Sequence, residues 1–259
     1  SLQPEGDAPV APSAIAAKSK TYILNPDGSG AFVETSEPRA LEKAELAGII
    51  EDYRKAARAA VEAGFDGVEI HAANGYLLEQ FMRSNSNQRT DDYGGSTENR
   101  IRLTLAVVAA VTKEIGADKT GIRISPTTPA NDVSDPDPKA VCTALVEALA
   151  KFDLAFVHVI EGATGGPRDV LPFDWKALKA AYRDAGGKGA WIANNGYDRA
   201  SAIEAVESGY ADLVAFGRPF IANPDLVRRL KEDAALNPLD QATLYGGGAE
   251  GYTTYPALA

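Results

Sequence analysis

From Lys43 to Leu236 the chain alternates helix-period segments with short apolar runs, and that alternation leaves few folds open. KAELAGIIEDYRKAARAAVEAG carries apolar residues at helical spacing and ends on Gly64, a residue suited to the left-handed turn after a helix. FDGVEI follows as a short buried strand. The pattern repeats through the helix TENRIRLTLAVVAAVTKEIGA and strand TGIRIS, then the helix PKAVCTALVEALAKF and strand LAFVHVI. DWKALKAAYRDAG with AWIAN, and RASAIEAVESG with ADLVAFG, complete five helix–strand units, and PDLVRRLKEDAAL closes the series. Helices alternating with short strands predict a parallel α/β fold, either a doubly wound sheet or a (β/α)8 barrel. Polar groups gathered at the C-terminal strand ends favour the barrel. Its first βα unit is preceded by TYILNPDGSGAFVET, two alternating runs around an Asn-, Asp- and Gly-rich turn, which predicts a β-hairpin. Residues 1–20, with Pro4, Pro9 and Pro12, are expected to be coil.

In a parallel barrel those strand ends share one rim, and the chemistry sits there. The rim carries His71, Asn74 and Tyr76 after the first strand, Arg123 and Ser125 on the second and Glu161 after the third. Asn194, Asn195 and Gly196 follow the fourth, and Gly217 and Arg218 the fifth. Turns that expose backbone N–H groups beside a guanidinium form an anion cradle, and barrels often hold a phosphate after their last two strands. The same residues also fit plain glycine-containing turns with a solvated arginine.

His71 and Asn74 offer two donors that could hold an oxygen gaining negative charge, while Tyr76 could supply a proton. The alternative is a histidine capping a loop with Tyr76 packed in the next helix. Arg123 alternates with Ile122 and Ile124, so it points away from them and must face a partner or a ligand. His158, in mid-strand, reads as a hydrogen-bonded core residue. GGGAEG, Gly246 to Gly251, matches G-x-G-x-x-G but has no strand before it and no helix after it, so it reads as a loop. That loop could fold Tyr252 and Tyr255 over a site mouth.

Composition removes other classes. A net charge of −10 argues against nucleic acid or an anionic membrane as partner. No apolar run reaches a membrane span and no signal peptide is evident, so a cytoplasmic protein is expected. The single Cys142 excludes an internal disulfide, and two histidines make a poor metal set.

HAANGYLLEQFMRSNSNQRTDDYGGSTENRIR resembles the signature segment of the old yellow enzyme family, flavin-dependent ene-reductases built on a (β/α)8 TIM barrel. The resemblance continues through GIRISP, HVIEG and VAFGRPFIANPDLVRRL to GYTTYP. It points to the bacterial branch that includes N-ethylmaleimide reductase and pentaerythritol tetranitrate reductase. It implies an FMN enzyme that uses NADPH or NADH to reduce activated C=C bonds in enones, maleimides and nitroalkenes, and also nitro compounds or nitrate esters. His71 and Asn74 would then bind the substrate's activating oxygen, Tyr76 would deliver a proton, and Arg123 would lie by the flavin N1/C2 edge. Asn194, Asn195, Gly196, Gly217 and Arg218 would hold the FMN phosphate, and Tyr252 would close over the substrate. The resemblance also implies that residues 1–259 supply about barrel strands 4–8, one partial flavin-binding domain without the family's first three strands. A second polypeptide or missing segment is then expected as partner. Two other readings stand beside it: a non-catalytic complementing half of a split barrel, and a flavin-free barrel binding a phosphorylated metabolite.

Overall fold

The computed structural model describes residues 6–25, 27–245 and 248–259. Near its start β1 (Val10–Ala11) pairs in parallel with β4 (Arg39–Ala40), so the segment expected as coil contains a short strand. Between them β2 (Lys20–Leu24) and β3 (Gly30–Glu34) form the expected antiparallel hairpin. Its register sets Tyr22 opposite Phe32 with ring centroids 5.2 Å apart, a favourable edge-to-face pair.

Five βα units follow. Helix α1 (Leu46–Glu62) buries Leu46 and Ala57 and ends ahead of Gly64, whose φ of +95° a side chain would resist. Strand β5 (Val68–Ala72) comes next, then α2 (Leu77–Met82) and α3 (Thr97–Ile115). Helix α2 lies in what reads as loop in the sequence. It forms because Leu78, Phe81 and Met82 fall on one face and are buried. Strand β6 (Thr120–Ile124) leads to α4 (Pro138–Leu149), where Asp137 caps the Ala140 N–H at 2.9 Å and proline fills the first turn. After β7 (Phe156–Ile160) and α5 (Trp175–Asp184) come β8 (Ala190–Asn194), α6 (Arg199–Glu207) and β9 (Leu213–Ala215). The chain then runs through α7 (Arg218–Ala222) and α8 (Leu226–Glu232). The final helix stops short of its expected end because Asp233 turns left-handed, with φ +55°.

The sheet order is β5-β6-β7-β8-β9, parallel throughout. Strand parity then decides which side chain faces what. Ile70, Ile122, Val157 and Trp191 align across four strands and pack beneath the helices, with Leu103, Val107, Leu145, Leu149 and Tyr182 in the same core. On the opposite face the register aligns His71, Arg123, His158, Ile192 and Leu213. The sheet therefore has one apolar, helix-covered side and one side that carries its titratable groups.

Candidate functional site at the strand ends

His71 is the fourth residue of β5 rather than a residue beyond it, so the strand backbone fixes its place. The chain then reverses through Asn74 (φ +58°) and Gly75 (φ +72°), and Tyr76 caps α2. A Cβ at Gly75 would meet the Ala130 carbonyl oxygen at 2.5 Å, so only glycine fits this turn.

The reversal is held from beneath by the fully buried carboxylate of Glu79. It accepts the Gly75 N–H at 2.7 Å, the Ser125 hydroxyl at 2.8 Å and the Arg83 guanidinium at 2.6 Å. The Ser125 oxygen in turn accepts the Asn74 N–H at 2.8 Å, and the Asn131 amide donates to the Asn74 carbonyl at 2.8 Å. At the Asn74 side chain, Oδ1 accepts the Thr164 hydroxyl at 2.6 Å. The result presents His71 and Tyr76 side by side, ring centroids 5.4 Å apart, with Tyr76 more than half exposed. Burial, reinforced by the Arg123 guanidinium, pulls the His71 pKa below its ordinary 6.5. At neutral pH the imidazole is uncharged, a donor without a full positive charge.

Arg123 stands beside His71 on the next strand. One terminal nitrogen donates to Asn194 Oδ1 at 2.9 Å, while its buried Nε has no partner among the described residues. A buried donor in that condition is costly. Arg123 also helps to wall a cavity of about 450 Å³, together with Gly165, Asn194, Gly196, Gly217 and Arg218, among others. Asn195 (φ +100°) and Gly196 (φ +69°) turn the backbone at its edge. Asn195 braces the wall with its side chain: Oδ1 accepts the Gly165 N–H at 3.1 Å, and Nδ2 donates to the carbonyls of Glu161 (2.7 Å) and Ala163 (2.8 Å). The Arg218 guanidinium donates to the Gly165 carbonyl. A guanidinium, glycine-bearing turns and a half-buried arginine around one cavity suit an anion.

Other rim residues lie elsewhere. The Glu161 side chain is buried away from the cavity and bonded by Arg168, by the Tyr197 hydroxyl at 2.8 Å and by the Tyr210 hydroxyl at 2.5 Å. Burial and that carboxylate push both phenols well above the usual tyrosine range. His158 is buried with Nδ1 2.7 Å from Glu69, in keeping with a core role. The C-terminal tail docks on α8, where Arg229 donates to the Pro256 carbonyl at 3.0 Å. Tyr252 on that tail is 57% exposed and its hydroxyl donates to the Leu244 carbonyl at 3.3 Å; among the described residues no hydrogen bond or ring contact joins it to His71 or Asn74. Gly246 and Gly247, which open GGGAEG, lie outside the described residues.

Two contributors escape a reading of the sequence: Glu79, inside the apolar stretch YLLEQF, and the Thr164–Gly165 loop, whose only signal is the glycine content of EGATGGP.

Known proteins resemble the chain over nearly its whole length. Residues 2–237 match the model of the NADH:flavin oxidoreductase / NADH oxidase family. The chain belongs to this family, that of the old yellow enzymes. 12-Oxophytodienoate reductase 1 of Oryza sativa subsp. japonica is 44% identical over 266 residues, which take in 99% of this chain and 65% of that protein. Morphinone reductase superposes with a TM-score of 0.92 at 44% identity, over 99% of this chain and 68% of that one. The old yellow enzyme homologue of Zymomonas mobilis gives 0.90 at 39% identity, over 98% and 69%. The chain thus spans about two thirds of the length of the relatives it matches, and its five βα units are an arc of their (β/α)8 barrel.

Two outcomes follow from the donor turn. With only two histidines in the chain, NMR titration will find the His71 ring protonating below pH 6.5, and Arg123→Gln will move its midpoint back toward 6.5. Because the folded pKa lies below the unfolded one, the unfolded state binds more protons in that window. The His71 contribution to stability is therefore complete above pH 6.5 and is lost as pH falls through the folded value; a midpoint at or above 6.5 would contradict this. Glu79→Ala strands a buried Arg83 and is expected to cost about 3–5 kcal/mol in urea unfolding, whereas a loss under ~1 kcal/mol would show that the carboxylate is dispensable.

Proposed function

We propose that this chain carries the substrate-activating and phosphate-holding parts of an FMN-dependent oxidoreductase that uses NADPH or NADH to reduce activated C=C bonds. The observation that carries this reading is the adjacency of two features. A neutral histidine, an asparagine amide and an exposed phenol stand together beside an anion-suited cavity floored by Arg123. The residues fit the cofactor on two counts: the Arg123 side chain in the cavity wall, and the turns at Asn195–Gly196 and Gly217 that border it. Asn194, Asn195, Gly196, Gly217 and Arg218 would hold the phosphate, and Arg123 the N1/C2 edge of the ring. Bound FMN supplies a hydride, replenished by the nicotinamide.

His71 and Asn74 donate hydrogen bonds to the carbonyl or nitro oxygen that activates the alkene, drawing electron density from its β-carbon. As hydride reaches that carbon, the Tyr76 hydroxyl gives its proton to the α-carbon, and the exposed phenolate regains one from water. Enones, maleimides and nitroalkenes share this pattern of an acceptor oxygen conjugated to a double bond. Nitro compounds and nitrate esters offer the same oxygen. Tyr252 serves as an aromatic wall only if the tail swings over this mouth. A cytoplasmic location would supply the nicotinamide reductant that this reading requires.

The sheet favours a second reading that is compatible with the first. Among the described residues β5 and β9 are paired on one side only, and Leu213 on the β9 edge is 52% exposed. Open edges invite further strands. We infer that polypeptide beyond these five strands, covalent or separate, completes the barrel and that activity belongs to the completed form.

A visible absorption spectrum with intact-mass analysis tests both readings. Flavin absorbance that bleaches anaerobically with NADPH and returns on adding cyclohex-2-enone is expected once the barrel is complete. Tyr76→Phe should leave bleaching intact and slow the return about a hundredfold or more. Protein that stays colourless with added FMN, with or without a completing polypeptide, would overturn the assignment.

A further inference from the structure

We infer that Thr164 is a positioning residue that sets the Asn74 amide as a hydrogen-bond donor toward the substrate oxygen, an inference that rests on the function proposed above. Asn74 has four polar atoms. Its N–H is taken by Ser125 at 2.8 Å, its carbonyl by Asn131 at 2.8 Å and its Oδ1 by the Thr164 hydroxyl at 2.6 Å. Among the described residues, only Nδ2 is left over. A primary amide offers a donor on one side and an acceptor on the other, so a half-turn about its last bond would aim a repelling oxygen at the substrate.

Thr164 alone does not forbid that half-turn, because a hydroxyl can also accept. The two ends act jointly. An acceptor oxygen on the substrate requires Nδ2 in front, and Thr164 then donates to Oδ1 behind. Hydrogen bonds chained in this way, from hydroxyl to amide oxygen and from amide nitrogen to substrate, polarise one another and strengthen the outer bond. Thr164 is well placed for the task because its loop is itself fixed: the next residue, Gly165, bonds to Asn195 and accepts from Arg218. The loop after β7 therefore couples the cavity wall to the donor turn. Selectivity follows from the chemistry. The site favours ligands that present an acceptor oxygen at Asn74 over those that present a hydroxyl or amine donor.

The test compares Thr164→Val, Thr164→Ala and Thr164→Ser in the completed barrel loaded with saturating FMN, since Thr164 also borders the cavity. Two quantities are read: the ¹⁵N side-chain amide signal of Asn74, identified by its loss in Asn74→Ala, and the dissociation constant of cyclohex-2-enone. Val and Ala should shift or broaden the amide signal and weaken enone binding about three- to tenfold, with the thermal midpoint unchanged. Ser should restore both. A Val variant with wild-type amide signal and enone affinity, or a Ser variant that behaves like Val, would overturn the inference. Asn74→Ala separates the two levels of argument. If it leaves enone affinity intact, the proposed function fails and takes this inference with it. If it weakens binding while Thr164→Val does not, only the role of Thr164 fails.

Discussion

The candidate site depends on one buried charge. Glu79 is wholly excluded from water, and an isolated carboxylate there would cost several kcal/mol. It is stable because Arg83 neutralises it, while Gly75 and Ser125 satisfy its lone pairs. Those partners are the point of the arrangement. Gly75 belongs to the turn that presents Asn74 and Tyr76, and Ser125 follows β6 and holds the Asn74 backbone. A conformational reversal with two successive left-handed residues is thereby tied to the sheet through short, charge-assisted bonds. Removing the carboxylate would release the turn and leave Arg83 unpaired at once, so geometry and stability are coupled at this residue.

A second constraint is strand parity. Because side chains alternate, the register that buries Ile70, Ile122, Val157 and Trp191 beneath the helices necessarily turns His71, Arg123 and His158 to the other side. The electrostatics follow from that row. Arg123 lies next to His71 and helps keep it neutral, while Glu69 pairs with His158 lower on the same face. A slip of one residue in any strand would exchange the two sets and abolish the core and the site together.

This explains what could be read from the sequence and what could not. The βα alternation, the hairpin and the helix stop at Gly64 are local signals, and each appears in the fold where the pattern puts it. His71, Asn74 and Tyr76 are close in sequence and are brought to one rim, as are the cavity residues from Asn194 to Arg218. Helix α2 was hidden because its six residues are too few to show a period. Glu79 and Thr164 were hidden for a different reason. Their meaning lies in partners 46 and 90 residues away, and no local pattern encodes such pairings. Glu161 was misleading in the same way: its position at a strand end suggested the rim, whereas Tyr197, Tyr210 and Arg168 draw its side chain into the interior.

The two sides of the sheet also differ in how dry they are. Ile122 and Val157 on the helix side are fully buried, whereas His71 and Arg123 on the other side are only partly so. Water near Arg123 screens its effect on His71 and on any anion in the cavity. Covering that face, with further strands, a ring system or both, would lower the local dielectric, deepen the depression of the His71 pKa and strengthen every donor aimed at the mouth. An occupant that brought acceptor atoms to the Arg123 side of the cavity would gain most from such covering.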